Sequence, residues 1–206
     1  MRTPLRILCT ALASLLLVAG CSATRTGEPT TDKPPATGET TTGRTDEPTR
    51  GPTPSEGPKR PKDIDIASLD PCALMNKVPV RKYGLDGRKP VGGTSSLFPG
   101  NKDCFSGGID NNLGLTFVAV ADKDAGDFVE TANARVTEYD AEGYPLYVLQ
   151  NQNARLTCFG VLDVHDGQFI WIAYGMGSPN QRPITPKTKL CQTVPMIAAS
   201  TVSALG

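Results

Sequence analysis

The chain has 206 residues, and its 21 lysines and arginines are balanced by 21 aspartates and glutamates. A chain without excess positive charge has no general electrostatic attraction for nucleic acid, so we expect no nucleic-acid partner. The single histidine, His165, excludes a multi-histidine zinc site, and the sequence predicts neither a metal nor a cofactor.

The first twenty residues have the layout of a bacterial lipoprotein signal peptide. Two arginines form a basic start, residues 7–18 are apolar, and the small pair Ala19-Gly20 stands before Cys21. The apolar stretch is shorter than the roughly 20 residues that a membrane-spanning helix needs. We expect residues 1–20 to be removed and Cys21 to be diacylated, because two acyl chains anchor a protein stably. The predicted location is the outer face of the cytoplasmic membrane.

Residues 21–62 are predicted to be the lipidated cysteine followed by a disordered tether. Threonine and proline dominate the stretch, and Ala23 and Ala36 are its only aliphatic residues. Such a composition buries too little apolar surface to offset the entropy of ordering. The tether would span about 35 Å as a flexible coil and up to about 125 Å as a polyproline-like chain. An O-glycosylated stalk and an unmodified linker both fit this composition.

Residues 63–206 are predicted to form a single globular α+β domain, an antiparallel β-sheet flanked by helices. Asp70 and Pro71 begin a helix as N-cap and first helical residue, and a short turn runs from Pro79 to Gly84. An irregular loop is expected over residues 85–100. The next predicted elements are a strand that starts at Phe105, strands over 113–121 and 144–150, and a helix over 124–134.

A hairpin over residues 156–176 is the clearest local signal. Asp166 and Gly167 form a two-residue turn between two apolar, β-rich runs. Counting outward from that turn pairs Gly160 with Ala173 and Leu162 with Trp171. Both faces of the hairpin are apolar, so each is covered or lines a cavity. The residues predicted to line a pocket are Gly160, Trp171, Ala173 and Tyr174.

The tail over residues 187–205 is predicted to be the last helix, in which Pro195 marks either a kink or the true start. We expect this helix to pack on the hairpin face that carries Cys158 and Gly160. The opposite face would be covered by the 124–134 helix or by an apolar ligand, and we favour the helix.

Four cysteines remain once Cys9 leaves with the signal peptide and Cys21 carries lipid: Cys72, Cys104, Cys158 and Cys191. An even number in an exported chain indicates disulfide bonds, and four cysteines allow three connectivities. We favour Cys72–Cys104 and Cys158–Cys191, which close loops of about 33 residues and are worth about 3–4 kcal/mol each.

The order of these features resembles a family. A cysteine after a lipoprotein signal, a Thr/Pro tether, the run Asp70-Pro71-Cys72-Ala73-Leu74 and the three later cysteines are similar to the actinobacterial lipoproteins called domain of unknown function 3558 (DUF3558). The resemblance implies an α+β sheet flanked by helices, of the PsbP/Mog1 type. It implies no catalytic residues, because the family has none established.

Two arrangements that could carry chemistry favour structural interpretations. Asp163 and His165 could begin a catalytic triad, but His165 flanks the turn and no nucleophile elbow is present. Residues 122–127 resemble the start of a calcium loop, but the spacing fails, and Asp124 is better explained as a helix N-cap.

The sequence therefore favours a non-catalytic envelope lipoprotein that binds a partner protein or a small ligand outside the membrane. The alternative is a carrier of an apolar ligand, such as a lipid, beside the 156–176 hairpin. A wall-modifying enzyme ranks third, because it would need paired carboxylates in a cleft.

Overall fold

The structure is a computed structural model that describes residues 59–180 and 182–206. The predicted signal peptide, Cys21 and the tether as far as residue 58 lie outside the described residues. Within them, no helix combines the length and the apolar character needed to cross a membrane.

Three α-helices and seven strands make up the described domain. The helices are α1 (Pro71–Lys77), α2 (Ala125–Glu130) and α3 (Lys187–Leu205), and a 3₁₀ turn spans Val80–Tyr83. The strands are β1 (Val91–Thr94), β2 (Lys102–Gly107), β3 (Leu113–Val120), β4 (Arg135–Ala141), β5 (Tyr144–Gln150), β6 (Thr157–His165) and β7 (Gln168–Met176).

All seven strands belong to one antiparallel sheet in the order β1-β2-β3-β7-β6-β5-β4. The hairpin of β6 and β7 lies near the middle of the sheet, and β1 and β4 are the edges. The predicted α+β class is confirmed.

Local sequence signals explain where the helices begin. The Asp70 carboxylate accepts a hydrogen bond from the Cys72 amide at 2.8 Å, and Pro71 opens α1 as predicted. Gly84 ends the 3₁₀ turn with φ of +80°, a conformation that favours glycine. Pro195 lies inside α3 and does not begin it, because α3 already starts at Lys187.

Several predicted boundaries were wrong. The supposed loop over 85–100 contains β1, whose two glycines conceal its strand character. Strand β2 begins at Lys102, before Phe105, and α2 ends at Glu130, four residues before the predicted end at 134. Strand β4 was missed, because six of its seven residues are exposed and its pattern carries little apolar signal.

The predicted turn at Asp166-Gly167 is present, but the predicted register of the hairpin is wrong by one residue. Val164 is an extra residue between the pairs Asp163–Phe169 and His165–Gln168, so Gly160 faces Ile172 and not Ala173. The carbonyl of Val164 accepts a hydrogen bond from the Ile64 amide at 2.8 Å. The segment that precedes α1 thus hydrogen-bonds to the extra residue of this β-bulge. A count of residues outward from the turn could not detect the bulge.

Helices α1 and α3 cover one side of the sheet, which we call the helix face. The main core lies there, and both predicted disulfides, Cys72–Cys104 and Cys158–Cys191, are confirmed within it. Leu190, Val194 and Ile197 of α3 are fully buried against the sheet. A Cβ atom at Gly160 would stand 2.7 Å from Val194 Cγ1, so glycine permits the close approach of α3.

Helix α2 and the loop between β1 and β2, which carries Phe98, cover part of the opposite side, which we call the second face. Phe128 of α2 meets Phe98, Phe169 and Trp171 with ring centroids 5.3–5.4 Å apart. Trp171 is also stacked on Phe159 at 5.0 Å. The helix therefore covers one half of the second face, as favoured from the sequence, and the other half stays open.

Candidate functional site

The open half of the second face forms a groove of about 500 Å³. Its floor follows from the strand register, since residues that pair across antiparallel strands share a face. One row across the strands is Gly107, Gly114, Gly175 and Thr157. The next row is Phe105, Thr116, Ala173 and Phe159. Apart from Phe105 and Phe159, the residues of these rows are small, and they leave a depression that begins where the aromatic cluster around α2 ends.

Phe105 is the largest apolar side chain on the groove floor. A Cβ atom at Gly107 would lie 3.1 Å from its ring and one at Gly114 would lie 2.8 Å away, so the ring lies over both glycines. Phe105 as a whole residue is nevertheless 50% exposed, and the neighbouring Val91 and Ile109 are 68% and 60% exposed. The groove thus presents an apolar surface that nothing in the described chain covers.

Two loops form one wall of the groove and are tied together. The Ile109 amide donates to Asp86 Oδ2 at 3.3 Å, and the Asn111 side chain donates to the carbonyl of Gly84. Asn111 also accepts a hydrogen bond from the Leu113 amide at 3.1 Å, where β3 begins. These bonds fix the wall against the sheet.

The charged side chains that line the groove are Arg88 and Lys89, and both are cationic. Arg88 Nε lies 3.2 Å from Asp86 Oδ2, and its side chain is 65% exposed. No carboxylate or imidazole of the described residues lines the groove. The arrangement combines an apolar floor with positive charge at one wall.

The four residues predicted to line a pocket do not come together. Gly160 lies against Val194 of α3 and Tyr174 lies in the same core, while Trp171 lies beneath α2 on the second face. The Tyr174 hydroxyl donates to the carbonyl of Tyr83 at 2.7 Å, and burial raises its pKa. Of the four, only Ala173 lines the groove. Because the predicted register was wrong by one residue, Gly160, Trp171 and Tyr174 had been assigned to incorrect cross-strand partners.

Apart from Ala173, the groove residues were missed, although the sequence held one signal for them. Gly107, Gly114 and Gly175 lie within strands, where glycine is unfavourable and often marks a close approach of other atoms. Their alignment in one row requires the order β2-β3-β7, which cannot be read from the chain itself.

Asp163 and His165, considered above for catalysis, lie at the opposite end of β6 from the groove. Arg60 Nη1 donates to Asp163 at 2.5 Å, and the guanidinium also contacts Asp63 and Asp166. Burial raises the pKa of Asp163, although the charge and hydrogen bond of Arg60 oppose that rise. His165 Nδ1 lies 2.7 Å from the carbonyl oxygen of Asp166 in the turn. This cluster fastens the incoming chain to the hairpin.

The acidic run over residues 122–127 has the structural role favoured from the sequence. Asp124 is the N-cap of α2 and accepts hydrogen bonds from the amides of Gly126 and Asp127 at 2.8 and 3.2 Å. Within the described ranges, no group of three or more histidine, cysteine, aspartate or glutamate side chains is placed to hold a metal ion.

The fold and the groove define a disulfide-bonded α+β domain with helices on one face of its sheet and an open apolar groove on the other. The chain belongs to the family described as protein of unknown function DUF3558, which matches residues 16–204. This match confirms the family resemblance. No curated protein and no solved structure matches the chain, and the likeness to the PsbP/Mog1 type stays a prediction.

Proposed function

We propose that this protein is a non-catalytic binding module of the cell envelope, and that its groove takes a small amphipathic ligand with an apolar body and an anionic group. The observation that carries the proposal is the half-exposed Phe105 on the floor of a 500 Å³ groove whose charged lining residues are Arg88 and Lys89. Small-ligand sites are concave, mainly apolar, and carry a few polar groups that orient the ligand.

The chemistry of the lining supports binding over catalysis. A general acid or base is most often a histidine or a carboxylate, and the described lining residues include neither. This proposal includes the alternative function, a carrier of an apolar ligand, but it places the ligand in the groove and not in the pocket predicted beside Trp171.

The signal and tether support a location at the outer face of the cytoplasmic membrane. Cys21 would carry the anchor, and the Thr/Pro-rich segment would hold the domain away from the bilayer. Arg60, where the tether enters, lies at the turn end of the β6–β7 hairpin, and the groove lies at the other end. Since a nine-residue strand spans about 27 Å, β6 separates the groove from Arg60 by about that distance.

The test uses cis-parinaric acid and its methyl ester, which share an apolar chain and differ in charge. Thr116→Trp fills the groove from its floor and should abolish binding of both probes, whereas Glu138→Trp on the edge strand β4 should not. Arg88→Gln with Lys89→Gln should weaken binding of the acid by about tenfold and leave the ester unchanged. Lys82→Gln with Lys102→Gln removes the same number of charges outside the groove and is the matched control.

Wild-type affinity for both probes in Thr116→Trp would overturn the groove as the binding site. Turnover of hydrolase, peptidase or glycosidase substrates by the pure protein, lost in the same variant, would overturn a non-catalytic role.

A further inference from the structure

A second depression, of about 430 Å³, lies where β4 begins, β5 ends and α3 starts. Its lining residues all carry N–H donors, and three of them are cationic. They are Arg135, Gln150, Gln152, Arg155 and Lys187. No acidic residue of the described chain lines the depression, so its charge is not neutralised from within.

Lys187 is held in place by the loop that it faces. Its ammonium group donates to the carbonyl of Ala154 at 2.9 Å and to the carbonyl of Asn151. An ammonium group has three N–H bonds, and neither of these acceptors is charged. One donor and the full positive charge therefore remain for another group.

The disulfide Cys158–Cys191 joins the two segments that carry Arg155 and Lys187. Arg155 stands three residues before Cys158 at the start of β6, and Lys187 stands about one helical turn before Cys191 in α3. Because the covalent bond joins the two elements here, Arg155 and Lys187 need no ligand to bring their segments together. Such preorganisation lowers the entropic cost of binding.

Arg135 and Arg155 have no carboxylate partner within the described part of the chain. The arginines that form salt bridges among the described residues are Arg60 and Arg88. Arginine presents several N–H donors in a planar fork that matches the oxygen atoms of a phosphate. Two unpaired guanidinium groups beside a held ammonium group suit an anion with more than one negative charge.

We propose that this depression binds a phosphate group, and that it is a second site, separate from the groove. The two sets of lining residues share no member, so the inference does not depend on the proposed function. Three cations and two amides exceed what a single carboxylate would need, which favours phosphate. The phosphate could belong to a soluble compound or to a lipid headgroup, because the recognising chemistry is the same.

The test follows the side-chain amide NMR signals of Gln150 and Gln152 in the full chain, kept in nonionic detergent. Inorganic pyrophosphate represents the soluble source, and dihexanoyl phosphatidylglycerol represents the headgroup, with dihexanoyl phosphatidylcholine as the zwitterionic comparison. We expect saturable shifts of both amides with at least one of the two anionic probes.

Arg135→Gln with Arg155→Gln should weaken that binding by at least about tenfold, because two charge-assisted contacts are lost. Lys82→Gln with Lys102→Gln removes the same amount of charge elsewhere and should change it by less than about twofold. Reduction of the Cys158–Cys191 bond should also weaken binding in the wild type.

Saturation with pyrophosphate alone assigns a soluble phosphate, and saturation with phosphatidylglycerol alone assigns a headgroup. Equal affinities in the two double variants would show a diffuse charge effect and overturn the site. An absence of amide shifts with both anionic probes would overturn it as well.

Discussion

Val194 of α3 lies so close to Gly160 of β6 that a methyl group at position 160 would stand 2.7 Å from Val194 Cγ1. Two residues before Gly160 and three before Val194, Cys158 and Cys191 form the disulfide that joins the same two elements. The absence of a side chain at Gly160 and the disulfide Cys158–Cys191 thus both contribute to the close packing of α3 on the centre of the sheet.

Gly160→Ala should destabilise the domain by about 1–3 kcal/mol, because the added methyl group overpacks the contact with Val194. Val194→Ala alone creates a cavity and should also destabilise it. The double variant should lose less than the sum of the two, since each change relieves the other. Urea unfolding of all four proteins measures the coupling, and additive losses would contradict this close contact.

Removal of either disulfide by a double cysteine-to-alanine exchange should lower the free energy of unfolding by about 3–4 kcal/mol, because the unfolded chain regains the entropy of an open loop. The two losses should be similar, because the two loops are nearly equal in length. The sequence separations are 32 for Cys72–Cys104 and 33 for Cys158–Cys191, which makes each pair the control for the other. Urea unfolding gives the two losses. Peptide mapping of the unreduced protein checks the pairing, and a link between Cys158 and Cys72 or Cys104 would refute it.

The carboxyl of Asp163 should titrate above the ordinary range of an aspartate, and its pKa should rise further in Arg60→Gln. Burial is the cause of the rise, and Arg60 is the main group that opposes it. The native state then holds this proton more tightly than the unfolded state does. The stability that Asp163 contributes is greatest below the unfolded pKa and falls as pH rises through the native pKa. Carboxyl NMR titration measures the pKa of Asp163 in the wild type and in Arg60→Gln.

Arg60→Gln should also lower stability by about 2 kcal/mol at neutral pH and by less near pH 4, since it leaves a buried carboxylate without its cation. Arg88→Gln breaks the more exposed pair with Asp86 and is the matched control, with an expected loss below about 1 kcal/mol. Equal losses of stability in Arg60→Gln and Arg88→Gln at neutral pH would contradict this prediction, because leaving Asp163 unpaired would then cost no more than leaving Asp86 unpaired.

Cys21→Ala should abolish incorporation of labelled fatty acid and release the protein from the membrane fraction, because two acyl chains are what would hold it there. Cys9→Ala removes the neighbouring cysteine inside the predicted signal peptide and should leave labelling intact. Unchanged labelling and partitioning in Cys21→Ala would rule out this cysteine as the anchor.

Features set by neighbouring residues could be predicted from the sequence. Asp70-Pro71 begins α1, Asp124 caps α2, and Asp166-Gly167 makes the turn, because each depends on contacts within a few residues. The favoured disulfide pairing was confirmed, although the sequence alone left three connectivities open. The edge strands β1 and β4 escaped prediction, because glycine in one and exposure in the other remove the apolar alternation that identifies a strand.

The sequence by itself determined the family and the α+β class of this protein, and it limited its disulfides to three connectivities. Only the tertiary structure decided the hairpin register, because the extra residue Val164 is bonded to Ile64, about a hundred residues earlier in the chain. The same is true of both candidate sites. Phe105 meets Thr116 and Ala173 only across paired strands, and Arg135 approaches Lys187 only once α3 is fastened to the sheet. Sites assembled from distant segments depend on strand order and helix packing, which no local pattern encodes.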